Sequence, residues 1–151
     1  MNDTFRAHVE SLLPAFKRLV AMRPVNVRPL PTVVPERGIY LFSEGRRHLY
    51  VGRTNRMGGR LREHCRPSST HGTAHFAFIL AREATGRTYV SCSRAELAVE
   101  PGFMEAFRAA KERVSRMHVR FVEERDPIRQ ALLEVYTAVA LKTPHNSFEN
   151  H

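Results

Sequence analysis

Two short β-prone runs, residues 38–43 (GIYLFS) and 48–52 (HLYVG), constrain this chain most. Both are rich in aromatic and branched side chains, and Glu44, Gly45 and Arg46 lie in the polar stretch between them, so an antiparallel hairpin is expected. Pairing Phe42 with His48 would set Tyr40 opposite Tyr50. The two-residue period of a strand then sends both phenols to one face, and Ile39, Leu41, Leu49 and Val51 to the other.

Helical signals surround the hairpin. Phe5, Val9, Leu12, Leu13, Phe16, Leu19 and Val20 recur at helical spacing over residues 4–22, with Asp3 or Thr4 as cap and a bend or restart at Pro14. Pro24, Pro29, Pro31 and Pro35 then impose an extended strap up to Arg37. Further helices are expected over residues 57–65 and 74–84, the second stopped by Gly86. Ser93 and Glu96 form a capping-box pattern ahead of a stripe of Phe103, Phe107, Ala110, Val114 and Met117. A strand follows over residues 118–124. Asp126 and Pro127 start a last helix, which runs to Leu141 with Ile128, Leu132, Val135, Tyr136 and Val139 as its stripe. Glu134 falls off that stripe, beside Ala131 and Ala138.

The 151 residues suit one hydrophobic core, divided into an N-terminal helix and strap (1–36) and a domain over 37–151. No run is long and apolar enough for a membrane span or a secretion signal, and Cys65 and Cys92 are too few for a disulfide framework. A cytoplasmic protein is expected. The formal charge of +9 points to a polyanionic partner, and of the 24 cations 21 are Arg, the better fork for phosphate oxygens. Eight of those arginines (37, 46, 47, 53, 56, 60, 62 and 66) stand in thirty residues against only Glu44 and Glu63, so about two thirds of the net charge falls on the hairpin and the helix after it.

On that helix Arg60 and His64 share a face, four residues apart, and Arg53 leaves the second strand beside them. A guanidinium, an imidazole and two phenols can therefore converge. Phosphodiester cleavage needs a base for water, a cation for charge growing on the non-bridging oxygens, and help for the leaving alkoxide. A phenol ordinarily titrates near 10, so Tyr40 would need cations and a hydrogen bond to serve as base. The only aspartates, Asp3 and Asp126, lie away from the hairpin, which disfavours a two-metal site and leaves room for one Mg²⁺ held through Glu134. His71 and His75 have i,i+4 spacing with no third ligand nearby, and read better as an exposed loop and helix start.

At these positions the chain resembles the GIY-YIG nuclease superfamily, and its C-terminal part resembles the restriction-endonuclease branch. The first signature stands as Gly38-Ile39-Tyr40 and the second as Tyr50-Val51-Gly52, followed by Arg53. The helix arginine falls on Arg60, the histidine one turn later on His64, the metal-binding glutamate on Glu134 and the terminal asparagine on Asn146. The resemblance covers roughly residues 37–151. It implies an α+β fold, an antiparallel three-stranded sheet flanked by helices, with the site on the sheet face. It also implies a DNA endonuclease using one divalent metal, Mg²⁺ or Mn²⁺, with Tyr40 as general base, Arg60 as transition-state clamp, Glu134 as metal ligand, and Tyr50, Arg53, His64 and Asn146 completing the site. No small-molecule cofactor and no membrane are implied. Arg46, Arg47, Arg56, Arg62 and Arg66 are then the candidates for holding DNA by its backbone. A homodimer would suit double-strand cleavage. The rival readings are a basic DNA-binding protein without catalysis, and a nuclease of the same fold acting on RNA or branched DNA.

Overall fold

The computed structural model describes residues 1–87 and 93–149; Cys92 lies outside them, and Cys65 is a free, buried thiol. The elements run α1 (Asp3–Ala21), β1 (Val25–Asn26), β2 (Gly38–Glu44), β3 (Arg47–Thr54), α2 (Met57–Cys65), α3 (His75–Thr85), α4 (Arg94–Val99), α5 (Pro101–Ser115), β4 (His118–Glu123) and α6 (Pro127–Leu141). The fold is α+β, with an antiparallel sheet in the order β1-β4-β2-β3. That sheet has four strands rather than the three expected. The extra one comes from the strap, where Val25 and Asn26 pair with Val119 and His118. Among the described residues no helix is long and apolar enough to cross a membrane.

Helices cover both faces of the sheet. On one face Tyr40, Phe42 and Tyr50 share a core with Leu61 of α2, Phe76 and Phe78 of α3, and Phe103 and Val114 of α5. On the other, Ile39, Leu41, Val51 and Val122 pack with Leu12, Ala15 and Leu19 of α1 and Leu133 of α6. Helix α1 is capped by Asn2, whose side chain accepts from Phe5 N at 3.0 Å, instead of by Asp3 or Thr4. It runs unbroken through Pro14, whose place is on the exposed side. The capping box of Ser93 and Glu96 forms as read, and so does the Asp126 cap before Pro127.

The hairpin register differs from the sequence-based pairing. Tyr40 faces Gly52 and Phe42 faces Tyr50, after which the ladder jumps to Ser43 opposite His48. Leu49 is the extra residue of a β-bulge, and it joins the core of Tyr50 instead of that of Ile39, Leu41 and Val51. Tyr40 is displaced from its expected partner by two residues, an even number, so both phenols still share a face.

Two close approaches explain the signature glycines. A Cβ on Gly52 would run into the ring and hydroxyl of Tyr40, and one on Gly38 would strike the Val122 carbonyl of β4. Any side chain at Gly52 would have to displace Tyr40.

Helix α6 is rotated from its expected face. It buries Gln130, Leu133, Thr137 and Ala138, while Ile128, Val135, Tyr136 and Val139 are exposed. Gln130 tolerates burial because its Nε2 donates to Glu124 O at 2.6 Å and to Asn55 Oδ1 at 3.1 Å.

Candidate active site

The centre of the site is Tyr40, which is 1% exposed. Its hydroxyl lies 2.7 Å from Nε2 of His64, one helix turn from Arg60 on α2. Burial pushes the Tyr40 phenol up to about 12, and Arg60 draws back only part of that through its charge and hydrogen bond. The cations thus fall short of the lowering that the sequence asked of them, and Tyr40 is a protonated phenol at neutral pH. Burial, reinforced by the charge of Arg60, holds His64 well below the ordinary imidazole value, so its ring is neutral.

The His64 tautomer follows from what surrounds it. Its Nδ1 is buried without a hydrogen-bond partner among the described residues. An orphaned buried N–H costs more than an unused lone pair, so we assign the proton to Nε2, from which it donates to the Tyr40 oxygen. The phenol's own proton is then directed elsewhere, and the imidazole N–H stands ready to stabilise a phenolate.

Arg60 is fixed from two sides. Its Nη1 donates to Thr73 O at 2.7 Å, in the loop between α2 and α3, and lies 3.4 Å from Glu63 Oε2. Glu63 also pairs with Arg56 at 3.1 Å. Tyr50 stacks on Phe76 with centroids 4.5 Å apart and planes within 7°, and burial raises its phenol. Phe76, Glu63 and the Thr73 carbonyl were not singled out as site residues from sequence, although Glu63 stands at the local i,i+3 pairing distance from Arg60.

His75 and Arg94 form a further pair that sequence reading missed. Arg94 Nη2 lies 2.7 Å from His75 Nδ1, and burial with the charges of Arg94, Arg60 and Arg82 holds His75 down to about 4. His71 sits in a turn ahead of α3, so the two histidines do not share a helix.

Strand β3 is the sheet edge, and Glu134 meets the site around it. Its Oε2 pairs with Arg53 Nε at 3.2 Å, and its charge is felt by both Tyr40 and Tyr50. Burial raises the Glu134 carboxyl above its ordinary range, against the pull of Arg53. Asn146 closes the outer edge of β3: Oδ1 accepts from Val51 N at 2.9 Å and from Thr143 Oγ1 at 2.8 Å, and Nδ2 donates to Val51 O at 2.8 Å. His145 N adds a bond to Leu49 O at 3.3 Å. The amide of Asn146 therefore holds the strand between Tyr50 and Gly52, as a positioning residue.

Tyr40, Tyr50, His64, Arg60, Arg53 and Glu134 are thus brought together, with Asn146 behind them. The five arginines proposed for DNA separate into groups. Arg56 is tied to Glu63 near the site, and Arg62 and Arg66 are exposed along α2. Arg46 and Arg47 sit at the hairpin turn beyond Glu44, which is four residues along β2 from Tyr40, or about 13 Å.

Among the described residues no three His, Cys, Asp or Glu side chains gather into a metal-binding group. A single carboxylate is nonetheless a fitting donor for Mg²⁺, which keeps several waters and takes further oxygens from a phosphate. Glu134, partly exposed and near enough for its charge to act on both phenols, offers that carboxylate. No family model, curated protein or solved structure matches this chain.

Proposed function

We propose that the protein is a divalent-metal-dependent DNA endonuclease of the GIY-YIG type, cleaving phosphodiesters by water with Tyr40 as general base. The observation that carries this reading is the Tyr40 hydroxyl held 2.7 Å from a neutral, buried His64 with the Arg60 guanidinium beside it. Tyr40 first releases its own proton to solvent, the imidazole N–H stabilises the resulting phenolate, and that phenolate takes a proton from the attacking water. Arg60, braced by Glu63 and Thr73, meets the charge that grows on the non-bridging phosphate oxygens. Glu134 would hold one Mg²⁺ or Mn²⁺, which when bound supplies positive charge to the phosphate and the departing alkoxide. Arg53 keeps the Glu134 carboxylate aimed at the site.

The test is a cleavage panel of supercoiled, linear, branched and single-stranded DNA, and RNA, with Mg²⁺, Mn²⁺ or EDTA, followed by mapping of the ends. Metal-dependent cuts leaving a phosphate and a hydroxyl end support the reading. Salt-sensitive binding that survives EDTA, without a cut on any substrate, would leave a basic DNA-binding protein in its place.

A further inference from the structure

We propose that the Pro-rich strap and the outer side of α2 form a second phosphate pocket, in which Arg28, Arg62 and Arg66 hold a backbone phosphate of bound DNA away from the scissile one; this rests on the reading above. The pocket has a volume of about 470 Å³ and is lined by these three arginines with Val27, Pro29, Leu30 and Cys65. Among the described residues no carboxylate lines it. None of the three guanidiniums makes a hydrogen bond or ion pair with another described residue. Elsewhere on the surface Arg56, Arg108, Arg113 and Arg116 are each paired with a glutamate. Three unpaired like charges around one cavity repel one another, and an anion relieves that repulsion. Arginine suits the role because its fork matches phosphate oxygens.

The strap is held firmly enough to position Arg28. Val27 is buried in the core, Leu30 and Val34 pack against that core, and Met57 N donates to Glu36 O at 3.0 Å. Arg28 therefore follows a fixed anchor, and its charge reaches Cys65 on α2, where it opposes the upward push of burial on the thiol. The apolar lining offers a surface for deoxyribose carbons. Two residues along a helix is a rotation of about 200°, so Arg62 lies across α2 from Arg60. A helix with side chains is about 10–12 Å wide, so the two phosphates would be separated by at least that distance. Helix α2 would lie against the backbone, with the scissile phosphate on one side and the pocket's phosphate on the other.

The test is anisotropy of a fluorescent 20-base-pair duplex in EDTA across a salt series, with wild type, Arg28→Ala, Arg28→Lys and the double variant Arg62→Ala/Arg66→Ala. Thermal melts check folding, and the α2 double variant stands in if Arg28→Ala is misfolded. The expected result is weaker binding by Arg28→Ala, with the log–log salt slope smaller by about 0.9, and the slope kept by Arg28→Lys. Wild type that binds with variants of unchanged affinity and slope overturns this pocket and leaves the nuclease reading standing. Wild type that fails to bind the duplex overturns this pocket and leaves the nuclease reading to the cleavage panel. Melts with inorganic phosphate form a separate arm: stabilisation lost in Arg28→Ala while duplex binding is unchanged would assign the pocket to a free anion and overturn the backbone assignment.

Discussion

The hydroxyl of Tyr40 and Nε2 of His64 lie 2.7 Å apart across the interface of β2 and α2, with both side chains buried. The contact exists because Gly52 leaves room for the tyrosine ring to cross β3, and because α2 sets His64 on its buried side. Strand, glycine and helix together place one phenol against one imidazole.

Gly52→Ala tests that packing. A methyl group would collide with Tyr40, and overpacking of this kind costs about 1–3 kcal/mol. Urea unfolding should show a lower midpoint, and the variant should cut DNA poorly. A fully stable, fully active Gly52→Ala would mean that Tyr40 can move without consequence.

His64 makes stability depend on pH. Its folded value lies well below the unfolded value near 6.5, so below that pH the unfolded chain binds a proton that the folded imidazole refuses. Stability contributed by the neutral ring is complete above about pH 6.5 and falls as the pH drops, by about 1.4 kcal/mol per pH unit for each such proton. His75, held down to about 4, adds a second proton over roughly pH 6.5 to 4. Urea melts from pH 7.5 to 4.5 should therefore give a shallower acid slope for His64→Gln than for wild type. Equal slopes would show that His64 is not buried as a neutral ring.

Glu134→Gln removes the carboxylate and keeps the shape. The Arg53–Glu134 pair is partly exposed, so its loss should cost no more than about 1 kcal/mol. Cleavage should be abolished at every Mg²⁺ and Mn²⁺ concentration while the melting temperature stays within a few degrees. Retained turnover at saturating metal would remove Glu134 from the site.

Asn146→Ala opens the edge of β3. Three hydrogen bonds are lost and Val51 N and O are left to water, which should lower stability by about 1–3 kcal/mol. An unprotected edge also invites pairing between chains, so light scattering at high concentration should rise. Unchanged stability would show that the tail contributes nothing to holding β3.

The elements with strong local signals were legible in the sequence. Asp126 and Pro127 mark the start of α6, Ser93 and Glu96 that of α4, and the alternating hairpin residues give the right face to Tyr40 and Tyr50. What escaped depends on contacts distant in the chain. Strand β1 is two residues long and exists only through pairing with β4. The bulge at Leu49 is a choice of register, and the face of α6 is decided by hydrogen bonds that let Gln130 go inside. In the site, the residue types were readable in order and the Arg60–Glu63 pair has a local i,i+3 spacing, while the bracing of Arg60 by Thr73 and the stacking of Tyr50 on Phe76 join segments distant in the chain.

The central claim is that the Tyr40 phenolate takes the proton from water, and single-turnover cleavage by Tyr40→Phe under saturating Mg²⁺ tests it most directly. The substitution keeps the ring that fills the core and removes only the oxygen bonded to His64. The account predicts that wild type cuts DNA and that the variant, folded and still binding DNA, is slower by about 10²–10⁴-fold. A Tyr40→Phe rate within twofold of wild type would contradict it.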